Sequence, residues 1–341
     1  MLSRPFVPLV CFVVLSLGAR LASAQVVYNG TDGPGKGKHV VLVAGDDEYR
    51  SEEALPQLGK ILAVRHGFKC TVLFPIDPAD GTIKPDYQQN IPGLDALTTA
   101  DLLVMGLRFR DLPDEQMKHL VDYIESGRPI VALRTSTHAF DIRTSMTYSK
   151  YTWTSKEPGY EGGFGKQVLG ETWVAHHGAH GSEATRGILA KGQEQHPILR
   201  GIKDGDIFGL TDVYAVNLPL PGDSQPLVLG QVVAGMKFDD PPASGERAAK
   251  NEPMMPVAWM KSYKGSSGKT ARIFTTTMGA SQDLSYEGTR RMLVNSCYWA
   301  LGMEDKIVAK TSVELVGKYE PTKFSFGDYQ KGIKPSEHEL K

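Results

Sequence analysis

Residues 39 to 67 read HVVLVAGDDEYRSEEALPQLGKILAVRHG, and this stretch decides the fold. Its first six residues form an apolar, mostly β-branched run that ends at Gly45, a pattern typical of a strand covered on both faces in a parallel sheet. Apolar residues from Leu55 to Leu62 then recur at helical spacing, and Gly67 marks the end of that helix. Because a second strand is expected at Lys69 to Phe74, the stretch predicts a β-α-β arrangement.

The same alternation of strands and helices continues along the chain. It argues for an α/β sheet wound with right-handed crossovers. No periodicity is visible from 139 to 170, where we expect an ordered excursion over the sheet. The patterns predict helices over residues 113 to 126 and 286 to 301, and strands over 101 to 105, 129 to 133, 226 to 234, 256 to 263 and 271 to 277, the last two joined by a hairpin turn at 264 to 269.

The composition is that of an ordinary globular chain. Of its 341 residues, 41% are hydrophobic and 23% are charged, which excludes a disordered or fibrous protein. The 38 basic and 39 acidic residues give a net charge of -1 at pH 7, so no overall positive field exists to attract nucleic acid or anionic lipid. We therefore expect neither as a partner.

The first 24 residues have the features of a secretory signal peptide. Arg4 precedes an apolar run from Phe6 to Leu17, and small residues surround a cleavage position near Ala24. This run is shorter than the roughly 20 residues that a membrane-spanning helix needs, so we expect a secreted or periplasmic chain without membrane attachment after cleavage. The remaining chain is expected to divide into a flexible leader (25 to 38), an α/β domain (39 to 303) and a polar C-terminal tail (304 to 341).

Cysteine use is sparse. Only Cys70 and Cys297 remain after removal of a signal peptide, which excludes a disulfide scaffold. Both lie in apolar patterns where free cysteine packs as a small hydrophobic side chain, and a single bridge between them is left open. No Cys-x-x-Cys pair exists, and two short glycine motifs lack the neighbouring strand and helix that a nucleotide-binding loop requires. The sequence thus identifies no cofactor, and it leaves the oligomeric state open, a homo-oligomer included.

Chemically capable side chains follow several of the predicted strands. In open α/β sheets, ligands bind beyond the carboxyl ends of the strands. We therefore predict that the turns at these ends converge on one rim of the sheet and form the functional site. The residues concerned are Asp46, Asp47, Glu48 and Tyr49 after the first strand, Arg108 and Arg110 after the third, and Arg134, Ser136 and His138 after the fourth.

His138 is the candidate acid/base group, because an imidazole exchanges protons near neutral pH. Asp46 or Glu48 would be its carboxylate partner, while Arg134 and Arg108 would hold a hydroxyl-rich or anionic ligand through their planar donors. The structural alternatives are a buried histidine and ion pairs between these arginines and acids. On the catalytic interpretation, alanine at position 134 or 138 abolishes turnover and leaves the melting temperature nearly unchanged.

Two further residues of this rim are candidates for ligand contact. Tyr49 would stack on a pyranose face, although most aromatic side chains at such positions belong to the core. Ser136 would either contact the substrate or satisfy backbone groups at the strand end. It is a poor nucleophile candidate, since the glycines of a G-x-S-x-G elbow are replaced by Arg134 and His138.

A second cluster of imidazoles lies in the segment WVAHHGAHGSEATRGI, residues 173 to 188. Three histidines so close together suggest a metal, but neither His-Glu-x-x-His nor a Cys/His pattern is present, and the glycines favour a loop. The cluster is therefore open to three interpretations: substrate contact, metal binding or a structural loop. Substrate contact would involve His176 and His177 above all. The residues concerned are His176, His177 and His180, followed by Glu183.

The order of the motifs resembles the ThuA-like proteins, a family associated with trehalose utilisation whose fold is similar to class I glutamine amidotransferases. No single motif is highly specific, but their order is, and the resemblance covers approximately residues 39 to 303. The motifs are GDDEYRSEE (45 to 53), RPIVALRTSTHAF (128 to 140), HHG (176 to 178), HPILRGI (196 to 202) followed by Asp212-Val213-Tyr214, PVAWMKSY (256 to 263), ARIFTTTMGAS (271 to 281) and YWALGM (298 to 303).

The resemblance implies a flavodoxin-like three-layer sandwich with a mostly parallel central sheet, an exported bacterial protein, and work on sugars or oxidised sugar derivatives. It does not imply glutaminase chemistry, which needs a cysteine at the elbow, where this chain has Thr135, Ser136 and Thr137. The leading expectation is a carbohydrate-active enzyme that uses acid/base chemistry on a sugar or keto-sugar. The alternatives are a non-catalytic carbohydrate-binding module and a metal-dependent lyase or hydrolase.

Overall fold

The apolar run that starts at His39 forms the second strand of a ten-stranded sheet. The computed structural model describes residues 24–340. The ten strands lie in the order β1-β3-β2-β4-β5-β12-β11-β10-β7-β8, and β6 and β9 pair separately. In chain order they are β1 (Gln25–Asn29), β2 (His39–Gly45), β3 (Lys69–Leu73), β4 (Leu102–Leu107), β5 (Ile130–Ala132), β6 (Ala175–His176), β7 (Thr185–Leu189), β8 (Phe208–Gly209), β9 (Tyr214–Ala215), β10 (Gln225–Val232), β11 (Met255–Lys264) and β12 (Thr270–Thr276).

Five adjacent strands at the centre of the sheet, β3, β2, β4, β5 and β12, run parallel. β1 pairs antiparallel with β3 at one edge, and β11, β10, β7 and β8 continue the sheet antiparallel at the other. β11 and β12 form the predicted hairpin. The α/β prediction is thus confirmed, with a parallel centre and antiparallel extensions.

Helices cover both faces of this sheet, which gives the three layers expected. They are α1 (Ser51–His66), α2 (Asp114–Glu125) and α3 (Glu287–Ala300). Side chains alternate across a strand, so Val40 and Leu42 of β2 pack in the layer of α1 and α3, whereas Val41 and Val43 pack in the layer of α2. All four are fully buried. The sequence of a strand enclosed on both sides is therefore an uninterrupted run of apolar residues.

The expected flexible leader is wrong for its first five residues, which form strand β1. Its burial alternates, with Val26 and Tyr28 packed against the core and Val27 facing outward. This is the pattern of an edge strand with one solvated face. Pairing with β3 over its full length holds the segment on the domain.

The C-terminal tail also lies against the domain. Glu53 of α1 accepts two hydrogen bonds from Thr322, one from the backbone N–H at 2.8 Å and one from the hydroxyl at 2.5 Å. Phe324 and Tyr329 are buried. Residues 322–328, here called the C-terminal wall, run across the carboxyl edge of the sheet, where Ser325 N–H donates to the carbonyl of Glu48 at 3.0 Å.

The expected signal peptide, residues 1 to 23 with a cleavage position near Ala24, lies outside the described residues. None of the helices formed by residues 24–340 combines the length and apolar character that a membrane crossing requires. Cys70 and Cys297 are buried free thiols. Burial raises the pKa of both, which keeps them protonated and favours a packing role.

Candidate functional site

The turns that follow β2, β4 and β5 meet at one edge of the sheet. The strand register places Gly45 opposite Leu107, so the two strand ends are level. The Thr135 hydroxyl donates to Asp46 Oδ2 at 2.6 Å, and Arg108 Nη1 donates to Asp47 Oδ1 at 2.9 Å. The predicted convergence of the three turns is therefore what the structure shows.

A cavity of about 700 Å³ opens over this edge. Its wall alternates aromatic faces with charged and titratable groups, a combination that suits a ligand carrying both apolar faces and hydroxyl groups. The titratable and charged lining residues are Glu48, Arg108, His138, His176, His180, Lys323 and Asp328. The aromatic ones are Phe109, Trp173, Tyr214, Phe324 and Phe326.

Asp46 does not face the cavity. Its Oδ1 accepts hydrogen bonds from the backbone N–H groups of Glu48 and Tyr49 at 2.7 and 2.8 Å, and its Oδ2 accepts the one from Thr135. It is fully buried, and burial raises its pKa. Asp46 thus shapes the turn that presents Glu48, and its predicted role as a direct acid/base partner is wrong.

Ser136 is also withdrawn from the cavity. Its hydroxyl donates to the carbonyl of Met105 at 3.1 Å and accepts from the N–H of Leu107 at 3.2 Å, and the residue is fully buried. The predicted substrate contact is therefore wrong, and the alternative role of satisfying strand-end backbone groups holds.

Arg134 lies beneath the cavity, in a fully buried ion pair with Asp212 at 2.8 Å. Its guanidinium carbon sits 4.4 Å from the ring centroid of Tyr49 and 3.6 Å from that of Tyr214, and it also donates to the Tyr49 hydroxyl at 3.1 Å. Neither Tyr49 nor Arg134 is among the residues that line the cavity, and both are buried, so neither side chain contacts a ligand there. The ion pair that the sequence leaves open is present, but with Asp212, and the predicted ligand contacts of Arg134 and Tyr49 are wrong.

Glu48 and Arg108 do reach the cavity, as predicted. Glu48 Oε2 lies 3.8 Å from Arg108 Nε, and Glu48 Oε1 lies 3.3 Å from His180 Nε2. Burial and the neighbouring Asp46 raise the pKa of Glu48, although Arg108 opposes this shift. The guanidinium carbon of Arg108 lies 4.5 Å from the ring centroid of Phe109 and 4.8 Å from that of Phe326, so both rings contact it.

His138 lies on the cavity floor, in contact with aromatic rings on several sides. Its ring centroid is 4.9 Å from that of Phe109, 5.3 Å from that of Trp173 and 6.1 Å from that of Tyr214. Burial, followed by the charges of Arg108 and Arg134, lowers its pKa well below the usual value. These effects favour the neutral imidazole, whose unprotonated ring nitrogen can accept a hydrogen bond.

The histidine cluster divides into two that face the cavity and one that does not. His176 Nδ1 lies 2.7 Å from Asp212 Oδ2, and His180 Nδ1 lies 3.1 Å from Asp212 Oδ1. His177 points elsewhere, with Nε2 2.7 Å from the carbonyl of Lys250. Side chains alternate along a strand, and His176 is the last residue of β6, so its neighbour faces the opposite side. The prediction of ligand contact therefore fits His176 and is wrong for His177.

Asp212, quoted above only within a motif, contacts both of these histidines. Burial acts to raise the pKa of this carboxyl, but the charge of Arg134 and hydrogen bonds from His176 and His180 outweigh it, so the pKa is lowered and the group is ionised. One donor atom each from His176, His180 and Asp212 lies within 4.8 Å of the other two, close enough for a shared metal ion. Glu183 is not part of this group, because it pairs with Arg247 and Lys250 at 2.8 and 2.7 Å.

The C-terminal wall is the part of the cavity that the sequence analysis missed. Its phenylalanines, Phe324 and Phe326, come from YEPTKFSFGDY at 319 to 329, a segment without helical or strand periodicity. The spacing of aromatic residues within an otherwise polar tail is the signal that could have identified it, since isolated aromatic side chains in such a segment usually pack against something.

Comparison with known proteins supports the fold. No family model matches the sequence, and no curated protein matches it. A ThuA-like protein from Parabacteroides merdae superposes over 78% of this chain and 90% of its own with a TM-score of 0.50 at 15% identity. A ThuA-like protein from Bacteroides uniformis superposes over 80% of this chain and 95% of its own, with a TM-score of 0.42 at 14% identity. Agd3, a carbohydrate deacetylase, superposes over 78% of this chain and 32% of its own, with a TM-score of 0.38 at 12% identity. The first of these shows that the chain has the fold of a ThuA-like protein, as the motif order predicted.

Proposed function

We propose that this chain, with its ThuA-like fold, is a carbohydrate-active enzyme that transfers protons to and from a sugar or keto-sugar bound in the cavity. The proposal rests on the lining of the cavity, which combines aromatic rings with a carboxylate, a guanidinium group and imidazoles. A pyranose offers the matching surfaces, since its C–H faces pack on rings and its hydroxyls bond to charged groups. The volume lies within the range of about 300 to 1,000 Å³ typical of small-molecule sites.

His138 is the proposed proton acceptor. From the cavity floor, its imidazole would lie against the face of a ligand that rests on Trp173 and Phe109, the rings beside it. Because its pKa is lowered, the neutral form persists as the pH falls through the ordinary histidine range, and activity that depends on it is retained there. Glu48 and Arg108 lie at the side of the cavity, where they would bond ligand hydroxyls and fix the orientation of the ring.

Arg134 and Asp46 are positioning residues in this proposal. The guanidinium group of Arg134 contacts the rings of Tyr49 and Tyr214, and Asp46 closes the turn that carries Glu48. Neither touches the ligand. Glutaminase chemistry is not proposed, because no thiol lies at the elbow and both described cysteines are buried elsewhere.

Removal of the His138 imidazole is expected to reduce turnover while ligand binding persists. We expect His138→Ala to lower kcat by at least about 100-fold, the typical contribution of one acid/base group, with a much smaller change in KM. The measurement is steady-state kinetics on whichever member of a sugar and keto-sugar panel the wild-type protein converts. Binding without conversion across the panel would favour a carbohydrate-binding module, and unchanged kcat in the variant would remove His138 from the mechanism.

Substitution of Phe326 tests the carbohydrate site through sugar affinity alone, without a measurement of turnover. This ring is 55% exposed at the cavity rim, so Phe326→Ala removes a stacking face with little loss of core packing. We expect sugar affinity to fall by about 10-fold, measured by calorimetric titration. Phe238→Ala is the matched control, because that ring is 44% exposed and does not line the cavity. An equal effect of the two substitutions would argue against a sugar site at this cavity.

A further inference from the structure

We propose that His176, His180 and Asp212 bind one divalent transition-metal cation of the Zn²⁺ type at the cavity wall. A catalytic role for this metal rests on the proposed function. Metal binding itself can be measured without any sugar. Two imidazole nitrogens and one carboxylate oxygen form a ligand set that catalytic zinc sites use, with the remaining coordination positions left for water or substrate.

The three side chains are already arranged for shared coordination. Their donor atoms lie within 4.8 Å of one another, and the two imidazole centroids are 5.0 Å apart. The imidazoles are 40% and 38% exposed, whereas the Asp212 side chain is fully buried. A cation would therefore enter from the cavity and meet the carboxylate at its base. The distances of 2.7 and 3.1 Å also fit hydrogen bonds, so the competing arrangement is a network without metal.

The backbone holds the two ligand-bearing segments unusually close. The N–H groups of His177 and Gly178 both donate to the carbonyl of Val213, at 2.8 and 3.0 Å, next to Asp212. A Cβ at Gly178 would lie 3.0 Å from the Asp212 Cβ, which is tighter than ordinary contact. Only a residue without a side chain lets the histidine loop approach the aspartate this closely.

Outer contacts orient the ligands from behind. Arg134 bonds the same Asp212 oxygen that faces His180, as an outer-shell partner of a ligating carboxylate would. Glu183 accepts from the N–H of Ala179 at 2.7 Å, and its pairs with Arg247 and Lys250 hold the turn between the two histidines. These pairs explain the placement of Glu183 without making it a ligand.

The open side of the site faces the proposed sugar. Glu48 Oε1 lies 3.3 Å from His180 Nε2, the ring nitrogen opposite the one that faces Asp212, so Glu48 would orient His180 as an outer-shell partner. A cation here would accept a carbonyl oxygen or two adjacent hydroxyl oxygens of the ligand and polarise them. The substrate class that fits is therefore a sugar carrying a carbonyl group or an adjacent hydroxyl pair, presented toward His176 and His180.

The test is metal titration of the purified protein after chelator treatment. Calorimetry with Zn²⁺ is expected to show one site per chain with a Kd in the micromolar range or tighter, and Co²⁺ is expected to give visible absorption bands of a coordinated site. His176→Gln and His180→Gln are each expected to weaken Zn²⁺ binding at least about 100-fold. Both side chains are partly exposed, so these variants should fold, which thermal melting checks. Mg²⁺ should not compete, since it prefers all-oxygen sites.

His177→Gln is the matched control, because it changes the adjacent imidazole that bonds Lys250 and should alter Zn²⁺ affinity by less than about 3-fold. Absence of a stoichiometric site, or equal losses in all three variants, would overturn the proposal. Sugar titration of the protein with and without added Zn²⁺ separates the two hypotheses. Sugar binding by a protein that shows no metal site would overturn this inference alone, and a metal site in a protein that binds no sugar in either form would overturn the proposed function alone.

Discussion

Replacing Arg134 by methionine is expected to lower the free energy of unfolding by about 4 kcal/mol, because it leaves the buried Asp212 carboxylate without its guanidinium partner. The carbonyls of Asp212 and Thr277, which accept from Arg134 Nη1 at 2.8 and 2.7 Å, lose their donor as well. The buried ion pair does not fit the expectation, drawn from the strand-end position, that a substitution here leaves the melting temperature nearly unchanged. Urea unfolding at pH 7 is the measurement.

Arg143→Met is the control for that experiment. Arg143 also pairs with an aspartate, Asp141 at 2.6 Å, but its side chain is 65% exposed. Exposed pairs of this kind contribute less than about 1 kcal/mol. A similar small change in the two variants would contradict the assignment of Arg134 as a buried positioning residue.

Replacing Glu52 by glutamine is expected to stabilise the protein by about 3 kcal/mol near pH 7. Glu52, in the first turn of α1, is 7% exposed, and its carboxyl group has no hydrogen-bond partner from another of the described residues. Burial, and then the charge of Glu53, raises its pKa to about 8, although a hydrogen bond from its own backbone N–H and the charge of Arg50 oppose the shift. The folded chain thus retains a proton that the unfolded chain releases near pH 4.5, and stability falls as the pH rises from there to about 8.

The pH dependence distinguishes this explanation from a general packing effect. Glutamine cannot ionise, so the difference between Glu52→Gln and wild type should vanish near pH 4.5 and grow toward pH 8. Thermal or urea unfolding across that range gives the comparison. Glu53→Gln is the control, because it replaces one of the two carboxyl oxygens that accept hydrogen bonds from Thr322 by an NH₂ donor and should destabilise instead. A pH-independent gain for Glu52→Gln would rule out its ionisation as the cause.

The sheet was predictable from the sequence because its central strands are enclosed. Val40 to Val43 must be apolar on both faces, so their burial is visible in the residues alone. β1 was missed because only Val26 and Tyr28 face the core in a five-residue strand, which is too short a pattern to separate from a loop. The C-terminal wall was missed because it is held by contacts such as Glu53 with Thr322, 269 positions apart, which no local pattern records.

The location of the site was predictable, but the direction of its side chains was not. Strand ends of a parallel sheet meet at one edge, so His138, Glu48 and Arg108 could be placed there. The same polar residue types also close turns and pair internally, and this is what Asp46 and Arg134 do. Sequence alone does not tell a carboxylate that caps a turn from one that faces a ligand, because both follow the same strand.

The C-terminal wall lines the binding site but is not part of the sheet that forms the scaffold. Arg50 and Thr322, which meet beside the cavity, lie 272 positions apart, and the last strand of the sheet ends at Thr276, well before the wall begins. The wall contributes no strand to the sheet. Substitutions in residues 322–328 would therefore redefine which molecules fit while the framework persists, so proteins sharing this architecture could diverge in what they recognise by rewriting one short stretch of chain.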